Sequence, residues 1–381
     1  MNCSRAVITG MSALCALGDT EQMAAGLRAS VCGIGPLTIC DPVFGTDTAA
    51  EIRGWNSSLH DRIGTLVEHL SKGAVNHSGI AQSNSRLAIV VALGRQFPIS
   101  TNGSPRFTFW EPGQRVADAL GSVGEVFTVY DACASGNDVI GIGLRLIRTG
   151  EYDAVLCCAA DSQIAPQPIA EFRKLSVLSV RDPEGLPHPR PFDRRRNGFV
   201  LGEGGAAFVV EDAGHANRRG AVILAEVSGY GAACDAFTLT RGHPDCRGII
   251  ESMSRALKDA QITSASIDYI NAHGTGTVVN DAAEAEAIRK VFGHTVRHLP
   301  VSSTKAATGH LLAGAAALEL AICVLALRDQ FVPATLNHVD ADPDCGIDFV
   351  PGEARDARLT YAMSNAFGFG GHNASVILAR C

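Results

Sequence analysis

Cys133 stands where a short apolar stretch gives way to a segment with helical patterning. Residues 129–136 read Val-Tyr-Asp-Ala-Cys-Ala-Ser-Gly, so small side chains flank the thiol and leave room for a substrate. A thiol at the start of a helix lies near the positive end of the helix dipole, which lowers its pKa and favours the thiolate that attacks thioesters. Cys133 is therefore a candidate nucleophile, although most cysteines are inert core residues and this segment alone fits both interpretations.

Two histidines lie in glycine-containing turns beside apolar elements. His273 follows a short apolar strand and opens the turn His-Gly-Thr-Gly-Thr, while His310 follows the Ser/Thr-rich residues 302–309 and precedes an apolar helix. Neutral imidazoles can donate N–H bonds to an enolate oxygen, and the nearby cation of Lys305 would favour the neutral form of both rings by like-charge repulsion. The pair indicates enolate chemistry more strongly than either histidine alone.

Residues 365–373 read Asn-Ala-Phe-Gly-Phe-Gly-Gly-His-Asn, and this density of glycine disfavours a helix. By itself the segment is typical of a structural turn. In the company of Cys133 and the two histidines, we interpret it as an oxyanion-hole loop in which Phe367 and Phe369 form an aromatic gate.

Composition and charge argue against several classes of function. The chain has 381 residues and a net charge of −7, and no concentrated face of Lys and Arg is visible, which argues against nucleic acid as a partner. The longest apolar stretch, residues 311–327, contains Gly314 and Glu319. It falls short of the roughly 20 residues of a membrane span. We therefore expect a buried helix there and no membrane insertion.

The 12 cysteines are scattered and include no Cys-x-x-Cys pair. We therefore expect reduced thiols rather than disulfides, and no metal site. The first residues have none of the long apolar region of an export signal. The expected location is the cytoplasm, a reducing compartment in which a free thiol persists.

Short β-branched runs alternate with helical patterns, which predicts an α/β fold with largely parallel sheets. The polar residues 211–219 divide the chain into two similarly built halves, 1–215 and 216–381. Cys133 follows a strand in the first half and His273 follows one in the second, where α/β sheets place their chemistry. Residues 78–115, rich in Pro and Gly, are expected to form loops. The predicted strands cover residues 6–9, 87–92, 126–130, 154–160, 205–210, 222–229, 269–272 and 376–378.

Taken together, these segments resemble the β-ketoacyl-acyl-carrier-protein synthases of the elongating type over nearly the whole chain. Cys133, His273, Lys305 and His310 occur in the family's order. The resemblance implies the thiolase fold, in which two similar halves form a five-layered α-β-α-β-α core, normally as a dimer. It implies that Lys305 orders the catalytic network together with Glu319, the one acid of the apolar helix. It implies no cofactor, since the substrates are carried on the phosphopantetheine of an acyl carrier protein.

The resemblance also implies a reaction sequence for fatty acid or polyketide chain elongation. Cys133 would accept an acyl chain from the carrier protein, after which malonyl carrier protein would lose carbon dioxide and its carbanion would attack the acyl-cysteine. His273 and His310 would stabilise the enolate. The backbone N–H groups of Cys133 and Phe369 would hold the thioester oxyanion.

Four further positions match the family's pattern. Thr275 and Thr277 match positions that hydrogen-bond the pantetheine arm. Arg173 matches a basic position near the tunnel mouth, where an acidic carrier protein needs a cation. Asp281 matches a polar position behind the histidine turn, with an expected structural role.

Three departures from the family separate this chain from typical members. Asp131 stands two residues before the nucleophile, where the family usually has Thr or Ser, and its charge would raise the thiol pKa if it faced inward. The stretch of residues 86–126 is shorter than usual. The basic residues that often dock the carrier protein are reduced, within residues 61–72, to Arg62 and Lys72.

Several alternatives remain open. A specialised ketosynthase of a polyketide or unusual-lipid pathway, working as a heterodimer with a chain-length-factor-like partner rather than as a homodimer, would share the chemistry. A chain-length factor itself would lack the nucleophile. A degradative thiolase needs a second cysteine near its C-terminus, where Cys381 is the bare end of this chain, and the starter-type synthase has Asn in place of His310. A carrier-protein scaffold would leave Cys133 unreactive.

Overall fold

The computed structural model describes residues 4–59, 61–80, 86–94, 99–101, 104–106, 110–122, 124–180 and 188–381. The strands are β1 (Ala6–Cys15), β2 (Gly18–Asp19), β3 (Gly35–Pro36), β4 (Thr48–Ala49), β5 (Leu87–Leu93), β6 (Ile99–Thr101), β7 (Ser104–Arg106), β8 (Val126–Val129), β9 (Ala154–Ser162), β10 (Glu203–Asp212), β11 (Ala225–Cys234), β12 (Tyr269–Asn271), β13 (Val301–Ser302), β14 (Phe331–Val332), β15 (Arg355–Asp356), β16 (Tyr361–Phe367) and β17 (His372–Ala379). The helices are α1 (Thr20–Arg28), α2 (Arg62–Ser78), α3 (Glu111–Leu120), α4 (Ser135–Arg148), α5 (Pro166–Lys174), α6 (Ala213–Arg218), α7 (Arg247–Asp259), α8 (Val278–Phe292), α9 (Lys305–Thr308) and α10 (Ala315–Asp329).

The main sheet repeats one pairing pattern on either side of its centre. Its strand order is β13-β12-β16-β17-β11-β1-β10-β9-β5-β8. Outward from β1, the pairs β1–β10 and β10–β9 are antiparallel, whereas β9–β5 and β5–β8 are parallel. Outward from β11, the same sequence of pairings runs through β17, β16, β12 and β13. The two halves are therefore built alike, as predicted, while the exact boundary after residue 215 stays a prediction. The expectation of largely parallel sheets is wrong, because five of the nine pairings along this strand order are antiparallel.

Apolar clusters define five layers. Helices α4 and α10 share one cluster with the inner faces of both half-sheets. Helices α2 and α3 cover the outer face of β5, β9 and β10, and helices α7 and α8 cover the outer face of β12, β13, β16 and β17. The order helix, sheet, helix, sheet, helix is the five-layered α/β arrangement expected from the sequence.

The two central helices cross closely at their first turns. Helix α10 is buried along residues 315–327, including Glu319, which confirms the predicted core helix. A Cβ atom added to Gly136 of α4 would lie 2.1 Å from the backbone nitrogen of Ala317 in α10, so this crossing requires glycine. The residues that lead into both helices are thereby brought to one place.

The expectation of loops over residues 78–115 is wrong for much of the described part. Strands β6 and β7 form an antiparallel hairpin there, and helix α3 begins at Glu111. Pro112 lies in the first turn of α3, where a missing N–H costs no helical hydrogen bond. Pro98 and Gly103 lie outside the described residues. Across the described part of the chain, no helix is long and apolar enough to span a membrane.

Candidate active site

Cys133 lies in a tight turn between β8 and α4. Residues 132–134 form a 3₁₀ turn, and Ala132 has a positive φ of 48°, a strained value for a residue with a side chain. The hydroxyl of Ser135 accepts the Asp131 N–H at 2.9 Å and donates to the Ala132 carbonyl at 2.7 Å. These two bonds hold the strained turn that presents the thiol.

His310 faces this thiol from the turn that precedes α10. Its Nε2 atom lies 3.3 Å from Sγ of Cys133. The N–H of Leu312 donates to Nδ1 of His310 at 3.3 Å, which leaves the ring proton of the neutral imidazole on Nε2. The ring of Phe199 packs edge-on against the imidazole, with centroids 4.9 Å apart. His310 therefore points a donor at the nucleophile.

His273 lies beside His310 on the turn after β12. The two ring centroids are 5.5 Å apart, and the ring of Phe367 packs 5.7 Å from that of His273. The carboxylate of Glu284 in α8 accepts the backbone N–H groups of His273 at 2.8 Å and Gly274 at 2.7 Å. Sequence reasoning missed Glu284, although an acid on the buried face of the helix after the histidine turn was a usable signal.

Lys305 and Glu319 form a fully buried ion pair behind the histidines. Burial, and then the Lys305 cation, lower the pKa of His273 and of His310 well below the ordinary value. The predicted neutral form of both imidazoles agrees with this. Burial raises the pKa of Glu319 to about 7, against the pull of Lys305.

The predicted lowering of the Cys133 pKa is wrong for this structure. Burial raises the pKa of the thiol to about 12 and outweighs the opposing effect of Lys305. Asp161, at the end of β9, and Glu319 raise it further. Sequence reasoning missed Asp161, whose carboxylate accepts the N–H groups of Ala313 at 3.2 Å and of Ser162 at 2.8 Å.

Asp131 does not act on the thiol in the way its position suggested. Its carboxylate lies 3.0 Å from Nδ1 of His372, at the start of β17, rather than against Cys133. It also bonds to Asp138 of α4, whose pKa is raised to about 7 chiefly by burial. Asp131 thus contacts His372 and Asp138 beside the nucleophile.

The glycine-rich loop closes over the nucleophile's turn. The Gly368 N–H donates to the His372 carbonyl at 2.6 Å, and Gly370 and Gly371 have φ values of 85° and 80° that favour glycine. A Cβ atom added to Gly368 would lie 3.1 Å from the backbone nitrogen of Cys133. The loop and the turn of Cys133 are therefore in direct contact.

A cavity of about 710 Å³ reaches these groups. Thr275 and Thr277 line it, with their hydroxyl oxygens 2.9 Å apart. Asp281 lies behind them, fully buried, and accepts the N–H groups of Phe192 at 2.7 Å and Gly276 at 3.2 Å. The predicted residues along the cavity wall are Cys133, His273, Thr275, Thr277, His310, Phe367 and Phe369.

Arg173 and Arg62, two basic residues considered for contact with a carrier protein, both make contacts within the chain. Arg173 does not line the cavity, and its guanidinium donates to the carbonyl oxygens of Phe44 at 3.0 Å and Leu178 at 3.4 Å. Arg62 is buried and pairs with Glu203. Contact of Arg173 with a carrier protein stays a prediction, and Arg62 is not available for docking.

Comparisons with known proteins establish the family. Residues 112–216 and 224–339 match the family models described as the N-terminal and C-terminal domains of beta-ketoacyl synthase. The chain is 37% identical to 3-oxoacyl-[acyl-carrier-protein] synthase 2 of Coxiella burnetii, over 99% of this chain and 98% of that protein. It is 42% identical to the tetracenomycin polyketide synthase ketoacyl synthase alpha subunit of Streptomyces glaucescens, over 85% and 82%.

The fold agrees with this relationship. A chain of the solved structure of the ishigamide ketosynthase/chain length factor matches with a TM-score of 0.90 and 32% identity, and both chains are covered completely. The chain therefore belongs to the β-ketoacyl synthase family, whose members are condensing enzymes, and has the thiolase fold. Both inferences from the sequence are confirmed.

Proposed function

We propose that this chain is a β-ketoacyl-acyl-carrier-protein synthase that extends an acyl chain held on Cys133. The observation that carries the proposal is the 3.3 Å separation of Sγ of Cys133 and Nε2 of His310, with His273 beside them in one cavity. A nucleophile and two neutral imidazoles in contact form the set of groups that acyl transfer and decarboxylation require.

In the loading step, the Cys133 sulfur attacks the thioester carbonyl of an acyl carrier protein. The C–S bond to pantetheine breaks, and the proton lost by Cys133 ends on the pantetheine thiol. Because burial keeps the thiol protonated at neutral pH, the Nε2–H of His310 stabilises the thiolate as it forms. The N–H groups of Cys133 and Phe369 hold the tetrahedral oxyanion.

In the extension step, malonyl carrier protein replaces the first carrier. Its carboxylate leaves as carbon dioxide, and the electron pair of the broken C–C bond passes to the thioester oxygen, where the N–H groups of His273 and His310 stabilise the enolate. The enolate carbon attacks the acyl-cysteine carbonyl, and the Cys133 thiolate leaves and regains a proton. Burial, together with the adjacent Lys305 cation, keeps both rings neutral, and each neutral ring can donate its one N–H to the enolate oxygen.

The carrier protein delivers its substrates through the cavity. The Thr275 and Thr277 hydroxyls lie along its wall, where they can bond the amides of the pantetheine arm. Phe367 and Phe369 line the same cavity as the thiol, where they can act as a gate, and Asp281 holds the turn that carries the threonines. We propose that the reaction needs no cofactor beyond the carrier's phosphopantetheine and that the protein is cytoplasmic. We also propose two domains: residues 1–215 supply the nucleophile, and residues 216–381 supply His273, Lys305 and His310.

The names of two similar proteins support a heterodimer as a second possible assembly, beside the homodimer. The Streptomyces glaucescens relative is by name the alpha subunit of a polyketide synthase, and the ishigamide structure by its title combines a ketosynthase with a chain length factor. The chain can thus work as a homodimer in fatty acid synthesis or as a heterodimer with a chain-length-factor-like partner. Native mass spectrometry of the chain expressed alone, and together with a homologous subunit, distinguishes the two assemblies.

Intact-mass spectrometry tests the loading step. The protein is incubated with acyl carrier proteins of several chain lengths, and we expect the mass of one acyl group to be added. The adduct should be absent from Cys133→Ala and retained in Cys246→Ala, a matched control because Cys246 lines the same cavity. An adduct that survives Cys133→Ala contradicts the proposal.

A further inference from the structure

The site also brings together three potential metal ligands from distant parts of the chain. The sulfur of Cys133 and one imidazole nitrogen each from His273 and His310 all lie within 4.8 Å of one another, and all three residues are buried. Nδ1 of His273 is buried without a hydrogen-bond partner among the described residues. Sequence spacing gave no sign of such a site, because residues 133, 273 and 310 meet only in the fold.

The spacing is close to that of a zinc site. Zn–S bonds of about 2.3 Å and Zn–N bonds of about 2.0–2.1 Å at tetrahedral angles place ligand atoms about 3.3–3.6 Å apart. The sulfur of Cys133 and Nε2 of His310 are already 3.3 Å apart. The distances to the His273 nitrogen are at most 4.8 Å, so each exceeds this spacing by no more than about 1.5 Å.

We propose that Cys133, His273 and His310 bind one Zn²⁺ ion, with a water molecule in the fourth position, and that the bound ion blocks the nucleophile. One thiolate and two neutral imidazoles form a ligand set that binds zinc in preference to magnesium or calcium. The cavity that reaches the thiol gives the ion a path to the site and leaves space for the water.

Binding is an exchange of ligands without a redox change. The S–H bond of Cys133 breaks, its proton leaves to the buffer, and the sulfur replaces one water on the hydrated ion. His310 must carry its proton on Nδ1 for Nε2 to bind the metal, which removes the 3.3 Å bond from the Leu312 N–H. The adjacent Lys305 cation opposes the dication but is paired with Glu319. Both factors weaken the site relative to a structural zinc site, so bound zinc is removable by a chelator.

Exposed thiols must be removed before the site is measured. Cys32, Cys234 and Cys381 are exposed and can bind zinc on the surface. The test therefore uses the full chain with these three cysteines changed to Ser as its background. Co²⁺ is the probe, because a thiolate bound to Co²⁺ gives a charge-transfer absorption, and Zn²⁺ is then added to displace it.

We expect one Co²⁺ per chain, displaced by one Zn²⁺. The charge-transfer band should disappear in Cys133→Ala, and His273→Ala and His310→Ala should each weaken binding at least tenfold, with circular dichroism confirming that each variant is folded. Zn²⁺ should slow alkylation of Cys133 by iodoacetamide at least tenfold, and EDTA should restore the rate. An unchanged band in Cys133→Ala, or alkylation unaffected by saturating Zn²⁺, overturns the proposal.

Metal binding and catalysis are separable in this experiment. Absorption and alkylation report the metal site whether or not the chain elongates any acyl group, so only the loss of turnover rests on the proposed function. Reversible inhibition of condensation by Zn²⁺, relieved by EDTA, is the expected consequence. Full condensation activity with one zinc bound would contradict the blocking of the nucleophile.

Discussion

The carboxylate of Asp131 lies 3.0 Å from Nδ1 of His372 and thereby joins the turn of the nucleophile to the end of the glycine-rich loop. The His372 carbonyl accepts the Gly368 N–H, so the contact is made at the point where the loop closes. The pair connects the two backbone segments that hold the proposed oxyanion donors, Cys133 and Phe369.

Loss of this connection should slow catalysis without abolishing substrate binding. We expect Asp131→Ala and His372→Ala each to lower kcat about tenfold with little change in KM, because a displaced oxyanion donor is felt in the transition state. Asp131→Asn, which keeps an oxygen acceptor for His372, should recover most of the rate. Steady-state kinetics with matched thermal melts test this, and an unchanged kcat in both alanine variants would contradict it.

The buried pair of Lys305 and Glu319 should be costly to break on one side. Lys305→Ala leaves an uncompensated acid in the core and should lower the free energy of unfolding by about 3–5 kcal/mol. The double variant Lys305→Met with Glu319→Leu should cost much less, since both buried charges are removed. Urea unfolding of the unaltered protein, the single variant and the double variant measures these free energies. Equal stability of the single and double variants would show that an unpaired Glu319 carries no special cost.

Catalysis should tolerate acid better than ordinary histidines allow. The pKa values of His273 and His310 lie well below 6.5, so both rings stay neutral as the pH falls through that value. The neutral forms of the two histidines contribute fully to folding stability above pH 6.5, the ordinary pKa of the unfolded chain. This contribution is lost as the pH falls from 6.5 toward the lower pKa values that the two histidines have in the folded protein. The two histidines should therefore cause no fall in the rate of malonyl decarboxylation between about pH 8 and about pH 6, and a step near pH 7 is expected only from Glu319, whose pKa burial raises to about 7. A fall in rate centred near pH 6.5 and absent from a histidine variant would refute this.

A side chain at position 368 should disturb the oxyanion loop. In Gly368→Ala the new Cβ atom would lie 3.1 Å from the Cys133 nitrogen and 3.2 Å from the Asp131 carbonyl, so the loop must move away. We expect condensation to fall at least tenfold, in the range that loss of an oxyanion donor produces. Gly35→Ala is the matched control, because no atom lies within 4 Å of its added Cβ. Equal rates in the two variants would show that the loop position is unimportant.

Residue type and position beside strands were enough to predict that Cys133, His273 and His310 share one site, and the structure brings the three into one cavity. Cys133, His273 and His310 lie on turns at the ends of apolar elements. Helix α10 could be predicted as a core helix because its residues are apolar on nearly all faces. The alternation of strands and helices likewise predicted the α/β architecture, in which helices cover both half-sheets of the main sheet.

What the sequence did not reveal depends on contacts between distant segments. Asp161 looks like an ordinary surface acid in the sequence, and only the fold buries it against the Ala313 N–H. Arg62 looked like a docking cation, yet it is buried against Glu203, 141 positions away in the chain. The thiol pKa of Cys133 was predicted in the wrong direction because the helix dipole is visible in a sequence and the extent of burial is not.

We expect the two neutral imidazoles of His273 and His310 to drive decarboxylation beside an acylated Cys133. A single-turnover experiment tests it most directly: acyl-loaded protein is mixed with malonyl carrier protein, and carbon dioxide and the ketoacyl product are followed in time. We predict that His273→Ala and His310→Ala each slow carbon dioxide release by about 10² or more, the cost of one lost donor to the enolate. Release at the unaltered rate in both variants, with the acyl group still on Cys133, would contradict this role of the two histidines.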